Sequence, residues 1–94
     1  MAQRRITDYR LTEHARLEMT RRHISEEDIA RVLAAPEQTL QVRPGRLVYQ
    51  SRVDAGEPPR AFLLRVFVDV DRRPAQVVTA YRTSRVEKYW RGQS

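Results

Sequence analysis

Apolar residues along the chain recur first with a helical spacing and then with a period of two. Leu11, Ala15 and Met19 are four apart, a narrow stripe continued by Leu17 on one side. Thr12 precedes them as a helix N-cap, and Glu13 suits the positive end of the helix dipole. This predicts a helix opening at Leu11–His14 and running to about Arg22. A second helix is predicted from Ser25, its N-cap, with three acids in the first turn. Ile29, Val32 and Leu33 form its buried face and Pro36 stops it.

From Gln38 the period changes. Leu40 and Val42 alternate with polar neighbours before a Pro44-Gly45 turn. Leu47, Tyr49, Ser51 and Val53 alternate with Arg46, Val48, Gln50 and Arg52, and Asp54 to Pro59 reads as a loop. Ala61 to Val70 is the most apolar stretch and predicts a central strand. A turn over Asp71–Pro74 leads to a last strand from Ala75 to about Arg82. Thr83 or Ser84 then caps a short helix through Trp90. Short connections imply an antiparallel meander. The expected fold is α+β: two N-terminal helices on one face of a three- to four-stranded antiparallel sheet, with a short C-terminal helix and the second sheet face open to a ligand.

Ninety-four residues make one small domain. No apolar run approaches the roughly 20 residues of a membrane span, and MAQRRITDYR lacks the apolar core of a secretion signal. Without cysteine there is no disulfide framework and no thiolate metal site. The expected location is cytoplasmic.

Charge changes the picture more. Eighteen bases against 12 acids give a net charge of +6, and Lys88 is the only lysine. An excess of arginine suits a polyanionic partner, nucleic acid or an acidic protein, because the guanidinium fork binds two phosphate oxygens at once. Strand parity offers a surface for it. If Tyr49 and the even-numbered residues Phe62 to Val70 face the helices, then Arg46, Gln50 and Arg52 share the other face with Arg65 and Phe67. The last strand has two registers. One sends Val77, Thr79 and Tyr81 inward and Arg82 outward; the other reverses them. Arg65, flanked by Leu64 and Val66, needs a carboxylate or a ligand to account for it.

His14 has the titration range for general acid–base work, with Glu18 and Arg21 on the same helical face. His23 reads as structural, at the join between helices. With no third ligand evident beside His14 and Glu18, no metal site is expected. Tyr81 and Tyr89 have the chemistry to donate a proton or stack on a base, and Trp90 to clamp the last helix to the body.

The stretch LTEHARLEMTRRHISEEDIARVLAAP, with its Thr-x-His-Ala start, Met-x-x-Arg helix end, Ile-Ser and terminal Pro, resembles a bacterial family of small domains of unknown function. The resemblance implies the fold of the RelE superfamily of ribonuclease toxins, most nearly its BrnT branch. Those toxins end the last strand in Ser-Ala-Arg, with a Glu six residues on; this chain has Thr79-Ala80-Tyr81 and Glu87. Tyr81 thus replaces an arginine, followed at once by Arg82, and Glu18 stands where the unknown-function family would carry arginine. The implied activity is a metal-independent, cofactor-free endoribonuclease, the toxin of a type II toxin–antitoxin pair, attacking phosphate with a ribose 2′-hydroxyl. His14 or Tyr81 would transfer protons and Arg65 and Arg82 would hold phosphate. Arg22, Arg46, Arg52 and Lys88 would bind RNA. An acidic antitoxin is the implied partner. The alternatives are a non-catalytic RNA- or protein-binding module of the same fold, and a dimer closing the free face.

Overall fold

A computed structural model describes residues 5–91. The first four residues, part of the segment read above for a secretion signal, lie outside them. Strand β1 (Tyr9–Leu11) leads into helix α1 (Glu13–Arg22) and helix α2 (Glu26–Ala34). Strands β2 (Gln38–Arg43), β3 (Arg46–Ala55), β4 (Arg60–Asp69) and β5 (Ala75–Thr83) follow, then the single turn α3 (Val86–Tyr89). The class is α+β, with one correction. The sheet has five strands in the order β1-β5-β4-β3-β2, and it is mixed: β1 runs parallel to β5. Leu11 therefore ends a strand rather than opening a helix.

The caps form as their chemistry requires. The Thr12 hydroxyl accepts from the backbone N–H of Ala15 at 3.0 Å, and the Ser25 hydroxyl from that of Asp28 at 3.1 Å. His23 closes α1 in the left-handed conformation at φ 57°, its N–H turned back to the last carbonyls of the helix. Its role is structural. At the β2–β3 turn, Gly45 has φ 85°, and a Cβ there would lie 2.6 Å from an Asp71 carboxylate oxygen.

One face of the sheet carries the core. Leu11, Ala15 and Met19 meet Val77 and Ala80, and Ile29, Val32 and Leu33 meet Tyr49, Leu64, Val66 and Val68. Each large side chain fully buried there contributes about 1.5–3 kcal/mol. Leu17 does not continue the stripe; it is 59% exposed. The alternation expected for β3 and β4 is borne out, with Tyr49 opposite Val66 and Gln50 opposite Arg65.

The last strand follows neither uniform register. Val68 pairs with Val77 but Phe67 pairs with Thr79, so Val78 is bulged out of the ladder. The extra residue changes the phase. Val77 and Ala80 both face the helices, and Thr79 and Tyr81 face the other way. Arg82, opposite the buried Leu64, returns to the helix side.

The second face is also not fully open. Val48, Gln50 and Leu63 point to it and are buried. The chain end folds back across it, with the backbone carbonyl of Tyr89 accepting from the Gln50 amide at 3.2 Å. The described helices include none long and apolar enough to cross a membrane.

Candidate nucleic-acid interface

The residues proposed from the sequence divide between the two sides of the sheet. On the second face, Arg65 is the centre. Its Nε donates to the side-chain oxygen of Gln50 at 2.8 Å, and its Nη1 donates to the Tyr81 hydroxyl at 2.8 Å. Three aromatic rings surround the guanidinium, with centroids 4.4 Å (Tyr89), 5.4 Å (Phe67) and 5.8 Å (Tyr81) from its central carbon. Phe67 and Tyr81 stack at 5.9 Å, and Tyr89 meets Tyr81 edge-on at 6.4 Å. The side chains reach one another because Gln50, Arg65 and Tyr81 are successive cross-strand partners on β3, β4 and β5.

The electrostatics of this arginine differ from those of its neighbours. Arg46 is held by Asp69 at 2.6 and 3.0 Å, a two-point pair directly across β3 and β4. Hydrogen bonding to Arg46 holds the Asp69 carboxyl below its usual range, and the same bond raises Arg46. Arg52 is paired with Glu37 at 3.0 Å, which likewise lowers the Glu37 carboxyl, and its guanidinium lies 4.4 Å from the Trp90 ring centroid. Among the described residues no carboxylate forms an ion pair with Arg65. It is a half-buried cation offset by ring quadrupoles, an amide and a hydroxyl. Its Nη2 makes no hydrogen bond to a described residue. The Tyr81 oxygen accepts from Arg65, so its own proton is left to donate outward.

Across the sheet the other proposed residues do different work. Arg22 donates to the Ala80 carbonyl at 2.8 Å and pairs with Glu18 at 2.8 Å. Arg82 donates to the Arg22 carbonyl at 2.8 Å, tying the end of α1 to β5. Glu18, buried, also pairs with Arg21. This acid explains itself as the hub of that tie. His14 is exposed on α1, on the helix side and thus separated by the sheet from Arg65 and Tyr81. Lys88 lies on α3 with its ammonium 5.3 Å from the Tyr89 ring centroid. The structure thus brings together Arg65, Tyr81, Arg52 and Lys88 near the chain end. It sets His14, Arg22 and Arg82 apart, and it places Arg46 in an ion pair.

Sequence reasoning missed Gln50 as the central amide and Gln38 behind it. Gln50 donates to the Gln38 side-chain oxygen at 2.8 Å. The available signal was a glutamine on the same face of β3 as Arg52, next to the buried Tyr49. No group of three or more His, Cys, Asp or Glu able to hold a metal occurs among the described residues.

No curated protein matches the chain, and no solved structure does. A family does: residues 11–82 match the family described as domain of unknown function DUF4258, and the chain belongs to it.

Proposed function

We propose that this protein is a single-stranded RNA-binding domain whose ligand face is the sheet surface around Arg65. The observation that carries this reading is Arg65 itself, a half-buried guanidinium with no ion pair to a carboxylate among the described residues, set beside the rings of Phe67 and Tyr81 on the sheet. Aromatic rings beside cations on a sheet suit unstacked bases and their phosphates: stacking contributes about 1–3 kcal/mol per base, and the cation holds the backbone. A net charge of +6 favours the same partner.

A second reading, a ribonuclease toxin of a type II pair covered by an acidic antitoxin, draws on one contact: the Tyr81 hydroxyl against Arg65 at 2.8 Å. In that reading a ribose 2′-hydroxyl attacks the adjacent phosphorus and loses its proton to solvent water, while the P–O5′ bond breaks and the 5′-oxygen leaves with a proton from Tyr81, which water then reprotonates. Arg65 stabilises the charge that builds on the phosphoryl oxygens. The products are a 2′,3′-cyclic phosphate and a 5′-hydroxyl.

One experiment serves both readings. Labelled single-stranded RNA is titrated with protein over a range of salt, and the RNA is then resolved on a denaturing gel. RNA binding that weakens steeply with salt supports the first reading; no binding at low salt sinks it. Cleavage that persists in chelator and falls about a hundredfold or more in Tyr81→Phe supports the second. Intact RNA, or cleavage unaffected by that substitution, removes it.

A further inference from the structure

The C-terminal segment Val86–Arg91 lies on the face assigned to RNA, and its contacts are those of a ligand rather than of a core element. Two successive residues, Tyr89 and Trp90, set their rings over the guanidinium groups of Arg65 and Arg52, each at 4.4 Å. These arginines are diagonal neighbours on β3 and β4, since Arg52 pairs with Leu63 and Arg65 with Gln50. The backbone of the segment is read by amides. The side-chain oxygen of Gln38 accepts from the Arg91 N–H at 3.1 Å while its amide nitrogen donates to the Arg91 carbonyl. Gln50 donates to the Tyr89 carbonyl.

The segment is held weakly. None of its residues belongs to the main core, and α3 is one turn with no side-chain N-cap. It carries Lys88 and Arg91 against a single acid, Glu87, so its charge repels the arginines beneath it. Among the described residues, stacking and amide contacts rather than ion pairs keep it in place.

We infer that this segment is an intrinsic competitor for the RNA face, with Tyr89 and Trp90 occupying the positions over Arg65 and Arg52 where two successive bases of a single strand stack. The inference rests on the RNA-binding reading. RNA binds by displacing the segment, and the fraction of time it is docked sets the affinity. A segment docked about nine-tenths of the time weakens binding about tenfold.

The test uses the full chain and a fluorescein-labelled oligouridine of roughly ten nucleotides. Trp90 is the only tryptophan, so its emission reports a change in the surroundings of the docked segment. The wild-type protein, Tyr89→Ala and Gln38→Ala are compared, with circular dichroism confirming the fold of each. Expected are a change in Trp90 emission as RNA is added to the wild type, about tenfold tighter binding by Tyr89→Ala, and tighter binding by Gln38→Ala. Weaker or unchanged binding by Tyr89→Ala overturns the inference whatever Gln38→Ala does, because the segment would then be part of the site; wild-type binding would still leave the RNA reading standing. Unchanged Trp90 emission in a wild-type protein that binds RNA overturns it too. No binding by any of the three proteins sinks both the inference and the reading it rests on.

Discussion

Arg65 and Arg82 sit on adjacent strands and point to opposite sides of one sheet, so the same side chain serves two purposes. Arg65 meets rings, an amide and a hydroxyl, while Arg82 meets only the end of a helix among its hydrogen-bond partners. Arg46 shows a third use, charge neutralised across the strands by Asp69. That pair makes stability depend on pH with a definite sign. Asp69 titrates lower in the fold than in the unfolded chain, so its contribution is fully present above the usual carboxylate range and fades as pH falls through the folded value. Asp69→Asn is therefore expected to lower stability by about 0.5–1 kcal/mol at pH 7, the ordinary worth of a partly exposed pair. The gap from wild type should close below about pH 4. Thermal melts of both proteins across that range check it; a gap that widens in acid would reverse the sign.

The bulge at Val78 is the element-scale feature that positions the site. It lets β5 bury both Val77 and Ala80 under α1 while turning Tyr81 toward Arg65. The sequence could not reveal it, because a period of two admits only the two uniform registers and both were partly right. Strand β1 escaped notice for another reason. Three residues are too few for a periodic signal, and Tyr9–Leu11 is a strand only because β5 offers its edge. The helices were legible because Thr12 and Ser25 announce their starts locally, and β3 and β4 because their alternation is long. The ring of aromatics around Arg65 was legible in part: Phe67 follows from parity, Tyr81 from only one of the two registers, and Tyr89 arrives from a separate segment. At this scale Arg82 ties α1 to β5. Arg82→Ala is expected to cost about 1–2 kcal/mol in chemical denaturation, through loss of a charged hydrogen bond. An unchanged midpoint would remove that role.

For the whole molecule, the excess of arginine resolves into distinct populations. Several are consumed by Glu18, Asp28, Glu37 and Asp69. Arg65 is a half-buried cation with no ion pair to an acid among the described residues, set among aromatic rings on the face of the sheet opposite α1 and α2. The central claim is that this face, and not the helix side, binds RNA. The most direct measurement is the affinity for single-stranded RNA of Arg65→Ala beside that of Arg82→Ala, at one salt concentration, with the fold of each confirmed. The account predicts a loss of about tenfold or more for Arg65→Ala, the worth of one stacking or phosphate contact, and a change within about twofold for Arg82→Ala. Wild-type affinity in Arg65→Ala, with binding lost in Arg82→Ala, would contradict it.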